Sequence, residues 1–171
     1  VAICFMWAAD YGAKVINMSL GGGSPSDTLK SAVDYAWNKG VVLVAAAGNS
    51  NTDTFFYPAA YGNCTAVAAT DQNDAKAIFS NYGAWVDIAA PGVSIYSTMP
   101  NHKNRIGILN YGSLSGTSMS TPHVAGVAAL VFAKYPTLSN ADVITRIKDS
   151  VDSTAGFSTT IGRVNAYKAV Q

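Results

Sequence analysis

Val41-Val42-Leu43-Val44-Ala45-Ala46 is an unbroken apolar run, rich in β-branched valine. A strand with one wet face alternates polar and apolar residues. An unbroken run instead fits a parallel sheet covered on both faces. The segments around it agree. Val1 to Tyr11 reads as an amphipathic or buried helix stopped by Gly12. Val15 to Leu20 reads as a strand closed by Gly21-Gly22-Gly23. In Ser24-Pro25-Ser26-Asp27, Ser24 can cap a helix, Pro25 suits its first position and Asp27 closes a capping box. Leu29, Ala32, Val33, Ala36 and Trp37 then recur at spacings of three and four, and Gly40 ends that helix.

Beyond the run, Thr65 to Ala69 and Val86 to Ala90 are shorter strands, the second stopped by Pro91-Gly92. Residues 93–115 suggest hairpins and loops. A long helix follows from about Ser118 to Tyr135. It is apolar nearly all round, which predicts a central, buried position. Ser139-Asn140-Ala141-Asp142 is a second capping box, opening a helix with Val143, Ile144, Ile147 and Val151 inward. A short helix is expected from Asn165 to Val170. The alternation predicts one α/β layer structure.

Composition narrows the function. The 171 residues are 49% hydrophobic and 12% charged, enough for one domain with a real core. The net charge is +1 with no basic cluster, which argues against nucleic acid as a partner. The longest nearly apolar run, Val124 to Ala133, is too short to span a bilayer. The apolar opening Val1 to Trp7 has no preceding basic segment and does not read as a signal peptide. Without an initiator Met, it fits a chain that begins inside a longer protein. Cys4 and Cys64 lack metal or redox spacing and are expected to be two buried thiols.

Gly116-Thr117-Ser118-Met119-Ser120-Thr121-Pro122-His123-Val124-Ala125-Gly126 carries the chemistry. It places the Ser118 hydroxyl at a helix N-terminus, where backbone N–H groups and the helix dipole favour developing negative charge. On spacing alone, a capped helix after a loop is the favoured reading. Asn49 has two readings as well: a turn residue in Gly48-Asn49-Ser50-Asn51, or an amide donor to an oxyanion. A nucleotide-binding domain is disfavoured, because Gly21-Gly22-Gly23 makes no Gly-x-Gly-x-x-Gly pattern and there is no Walker lysine.

The Gly116–Gly126 segment resembles the nucleophile motif of the subtilisin-like serine proteases, with Ser120 where Ala is commoner. Asn17-Met18-Ser19-Leu20-Gly21-Gly22, Ala45-Ala46-Ala47-Gly48-Asn49, Ala90-Pro91-Gly92-Val93 and Gly162 to Val170 resemble further family segments in the right order. The tail, Ala8 to Ile16 and Tyr35 to Gly40 resemble the thermitase-like branch. The resemblance implies a subtilisin-like parallel sheet with helices on both faces, truncated at its start. Residues 1–171 would be the C-terminal portion of a single subtilase catalytic domain.

The resemblance also implies roles. Ser118 is the nucleophile, and Asn49 and the Ser118 N–H form the oxyanion hole. Ser19, Leu20 and Gly21 pair with extended substrate, while Ala46, Ala47 and Gly48 line the pocket before the scissile bond. Phe56 falls near the pocket floor and shortens it, or is an aromatic packed under a loop. The family's base and orienting carboxylate come from His-Gly-Thr and Asp-Ser/Thr-Gly type motifs, neither of which is present here. His102 sits in a polar loop, and His123 points away along the helix. The isolated chain is therefore expected to be inactive, with the missing N-terminal part of the domain as its partner and polypeptides as substrates. No cofactor is needed for catalysis. A weakly held structural Ca²⁺ or Na⁺ is implied on carbonyls near Ala59, Tyr61 and Cys64 with Asp87, against an ordinary surface loop and strand Asp. The family is typically secreted. The alternative is a non-catalytic subtilase homologue acting as a binding or scaffold module.

Overall fold

The computed structural model describes residues 1–157 and 161–171. The decisive apolar run becomes β2 (Val42–Ala46), and every residue of it is buried. It is flanked in parallel by β1 (Val15–Met18) and β3 (Thr65–Thr70), and β3 pairs in parallel with β4 (Ile88–Pro91). The C-terminal pair β7 (Asp152–Ser153) and β8 (Gly162–Arg163) completes the sheet in the order β1-β2-β3-β4-β8-β7, with β7 antiparallel to β8. A separate hairpin, β5 (Ile95–Thr98) and β6 (Tyr111–Leu114), fills the region expected to hold hairpins.

Alternate residues of β2 explain why the run is apolar throughout. Leu43 and Ala45 pack toward α1 (Ala2–Asp10) and α2 (Asp27–Asn38). Val42 and Val44 pack with Val124, Val127 and Val131 of α3 (Thr117–Lys134), with Val143 and Ile147 of α4 (Asn140–Asp149), and with Ala169 of α5 (Ala166–Ala169). Helices thus cover both faces. Each large aliphatic side chain taken fully out of water contributes about 1.5–3 kcal/mol.

The Ser139 capping box is present as expected. Ser139 Oγ accepts from the Asp142 N–H at 3.1 Å, and the Ser139 N–H donates to Asp142 Oδ2 at 3.3 Å. The cap of α2 differs from expectation: it is Ser26, not Ser24, and its Oγ accepts from the Leu29 N–H at 3.3 Å. A tertiary contact decides this. The Tyr61 hydroxyl accepts from the Ser26 N–H at 2.8 Å and donates to the Ser26 carbonyl at 3.0 Å, holding that residue extended. Cys64 is buried, but Cys4 is exposed on α1, and both thiols are free. Burial, with Asp87 and Asp34 nearby, pushes the Cys64 thiol up to about 12, so it stays protonated at neutral pH.

The central helix is not covered all round. One side of α3 is fully buried on the sheet, while Leu130 on the other is 52% exposed. Ile3 and Trp7 on α1 are exposed as well. Apolar composition reports which faces suit burial, not which have a covering partner.

Ser120 Oγ is buried with no hydrogen-bond partner among the described residues. It lies where Gly92 passes so close that a Cβ there would collide with it. An unsatisfied buried hydroxyl costs about 1–3 kcal/mol. Ser120→Ala is therefore expected to stabilise the chain by about 1 kcal/mol, raising the thermal midpoint by about 2–4 °C. A lowered midpoint in thermal denaturation would count against this.

Candidate active site

The C-terminal ends of β1 and β2 and the N-terminus of α3 converge on one edge of the sheet. Ligands of open α/β sheets bind beyond the carboxyl ends of strands. Ser19-Leu20-Gly21 leaves β1 here, Ala47-Gly48-Asn49 leaves β2, and Ser118 is the second residue of α3.

Gly116 caps α3 with φ +155°, a backbone that favours glycine, and its N–H donates to the Gly92 carbonyl at 2.8 Å. The next residue does work that its sequence context did not announce. The Thr117 N–H donates to Asn49 Oδ1 at 2.8 Å, and the Thr117 hydroxyl donates to the same oxygen at 3.0 Å. The Gly48 N–H in turn donates to that hydroxyl at 3.1 Å. A backbone N–H can only donate, so Asn49 must turn its oxygen toward Thr117. Its Nδ2 is left as the outward donor. The Ser118 N–H belongs to the first turn of α3, where no helical carbonyl is available to it. The Asn49 oxygen is thus tied to the residue that precedes Ser118.

Ser118 is half-buried, and its Oγ donates to the Ser19 carbonyl at 3.4 Å. Pro122 lies inside α3, beyond its opening turn. Lacking an N–H, it leaves the Ser118 carbonyl without its i+4 donor. The Ser19 hydroxyl fills that vacancy, donating to the Ser118 carbonyl at 2.8 Å. The end of β1 is therefore tied directly to the nucleophile candidate.

Neither histidine hydrogen-bonds to Ser118 among the described residues. His123 Nδ1 lies 2.8 Å from the Met119 carbonyl, which can only accept, so that nitrogen carries the proton. His102 is exposed in the loop between β5 and β6. An open cleft of about 410 Å³ adjoins Ser118, walled by Ile95, Leu114, Met119, Pro122 and His123.

Phe56 lies against both candidate pocket strands. A Cβ at Gly21 would collide with its ring, and one at Gly48 would come within 3.2 Å of it. Leu20 is exposed, while Ala46, Ala47 and Gly48 are all buried.

The cation expectation rests on the residues near Asp87. Asp87 Oδ2 accepts the Ala66 N–H at 2.9 Å, and Oδ1 is paired with Lys148 at 2.7 Å. The Tyr61 carbonyl accepts the Cys64 N–H at 2.9 Å. As arranged, Asp87 has its charge met by an ammonium, which a cation needing that carboxylate would have to displace. Among the described residues, no three His, Cys, Asp or Glu side chains gather to hold a metal ion. No helix among them is long and apolar enough to cross a membrane.

Residues 4–166 match a family model described as the Subtilase family. Thermitase of Thermoactinomyces vulgaris is 53% identical over an alignment taking in 100% of this chain and 59% of thermitase. Subtilisin BL of Lederbergia lenta is 48% identical over 94% of this chain and 55% of its own length. The chain thus spans little more than half the length of these curated relatives. Among solved structures, a protease from Pseudoalteromonas arctica superposes with a TM-score of 0.89 at 34% identity, covering 99% of this chain and 57% of the other. The protease domain of PatA gives 0.87 at 32% identity, covering 98% and 62%.

Proposed function

Because the chain belongs to the subtilase family, we propose that it is the C-terminal portion of a single serine endopeptidase domain that cleaves polypeptides through an acyl-enzyme on Ser118. The observation that supports this reading is the Asn49–Thr117 contact, which ties the Asn49 oxygen to the residue next to Ser118 and leaves the Asn49 NH₂ free of that contact. Ser118 Oγ attacks the peptide carbonyl carbon as a base removes its proton, and the carbonyl π electrons move onto oxygen. The Asn49 NH₂ and the Ser118 N–H meet that oxyanion. On collapse the C–N bond breaks, and the proton passes to the departing amine. Ser19 to Gly21 would pair with the acyl side of an extended substrate, as an added strand.

The base and its orienting carboxylate would come from a part of the domain that this chain does not include. The chain alone is therefore expected to be inactive. Secretion is the setting the family implies. A cation on the Ala59, Tyr61 and Cys64 carbonyls would have to compete with Lys148 for Asp87.

A fluorophosphonate probe tests the reading. The 171-residue chain is expected to label slowly or not at all, while a complete domain containing it labels stoichiometrically at Ser118. Rapid labelling of the isolated chain would show that a base is already present. A complete domain that stays unlabelled would favour the non-catalytic binding or scaffold role instead.

A further inference from the structure

The segment Gly48-Asn49-Ser50-Asn51-Thr52 has no apolar side chain with which to pack itself in place. Its position must come from hydrogen bonds. The Asn51 N–H donates to the Phe79 carbonyl at 2.8 Å and the Thr52 carbonyl accepts from the Tyr82 N–H at 3.1 Å, and one buried side chain supplies three further bonds around Asn49. Asn81 is 2% exposed. Its Nδ2 donates to the Ala47 carbonyl at 2.8 Å, and its Oδ1 accepts from the Ser50 N–H at 2.9 Å and the Thr52 N–H at 3.4 Å. Its backbone N–H donates to the Gly48 carbonyl at 3.0 Å. These contacts bracket Asn49 on both sides.

The fit is close. A Cβ at Gly48, whose φ is +102°, would sit 2.5 Å from Asn81 Nδ2. Asn81 is itself fixed from behind. Ser80 Oγ accepts the Ala69 N–H of β3 at 2.9 Å and donates to the Asn81 carbonyl at 3.0 Å. The Lys76 ammonium ties the same two segments together further out, donating to Asn51 Oδ1 at 2.8 Å and to the Ser80 carbonyl at 3.3 Å.

We propose that Asn81 is a positioning residue that sets the backbone of the Ala47–Thr52 loop so that the Asn49 amide meets the oxyanion, an inference that rests on the oxyanion role of Asn49. Thr117 orients the Asn49 side chain, and Asn81 holds the backbone that carries it. A donor aimed at a developing charge is effective only when placed to within about 0.5 Å. Asn81 makes no hydrogen bond to Ser118 among the described residues. Its effect passes entirely through the loop.

Two measurements test this. In the 171-residue chain, Asn81→Ala is expected to speed amide hydrogen exchange at Ser50 by about tenfold or more, with Leu43 and Val44 of β2 unchanged. Unchanged exchange at Ser50 overturns the proposal. In a complete subtilase domain that includes the chain, Asn81→Ala is expected to lower kcat about tenfold to a hundredfold, with KM within about threefold. The double variant with Asn49→Ala should be no slower than Asn49→Ala alone. Independent, multiplying losses overturn the positioning role. An Asn49→Ala variant as fast as its parent instead overturns the oxyanion reading and the proposal built on it, an outcome distinct from multiplying losses. If Asn81→Ala does not fold, Asn81→Asp, which keeps the acceptor but loses the donor to Ala47, serves the kinetic tests in the complete domain.

Discussion

Replacing Asn49 with Ala in a complete domain containing this chain is expected to lower kcat by about 10²–10³ while KM changes little. That magnitude was measured on the corresponding amide of subtilisin, so it is a family value and not a consequence of these distances. The geometry supplies the reason for the kcat effect. The Asn49 oxygen is engaged twice by Thr117, at 2.8 and 3.0 Å, so only its NH₂ can reach outward. A neutral substrate carbonyl gains little from that donor, and the charged oxygen of the tetrahedral intermediate gains much. Steady-state kinetics on a peptide amide measure the split. A loss confined to KM would mean that Asn49 binds the ground state, and the oxyanion assignment would fail. Thr117→Val should show a smaller loss in the same direction, because it removes the hydroxyl bond to the Asn49 oxygen while the backbone N–H keeps the other.

Phe56→Gly is expected to reverse the preference for small side chains before the scissile bond. The ring lies against Gly21 of the substrate-pairing segment and Gly48 of the candidate pocket, and as the pocket floor it would shorten the space open to a large side chain. With the ring present, alanine-like residues should be preferred. Without it, kcat/KM for a phenylalanine substrate relative to its alanine counterpart should rise by about 10–200-fold, the range for one or two methylene-sized steps in an apolar pocket. Matched peptide substrates give the ratio directly. If the ratio does not move, Phe56 is only an aromatic packed beneath the loop. The two readings left open by the sequence would then be decided in favour of the second.

These expectations draw on features of different legibility. The apolar run that became β2 was readable because both faces of a central parallel strand are buried, and burial demands apolar side chains at every position. The Ser139 box was readable because both of its partners lie within three residues. The α2 cap was misplaced because the choice between Ser24 and Ser26 is made by Tyr61, 35 residues away from Ser26. Thr117 and Asn81 went unread for the same reason. Thr117 meets Asn49 across 68 residues, and Asn81 meets Ala47 across 34. Each sits in a short polar stretch that reads as an ordinary cap or turn.

Local pattern and motif determined the α/β class, the order of the elements, the candidate nucleophile Ser118 and the candidate donor Asn49. The class and the order depend on periodicity, capping and spacing, which are local properties of the chain, whereas Ser118 and Asn49 rest on the resemblance of their motifs to the subtilase family. Only the tertiary structure decided which way the Asn49 amide faces, what takes the hydrogen bond that Pro122 cannot make, where the Phe56 ring lies, and which face of α3 stays open. Each of those depends on a contact between distant segments. Such contacts are fixed by the packing of the whole sheet and leave no periodic trace in the residues that make them.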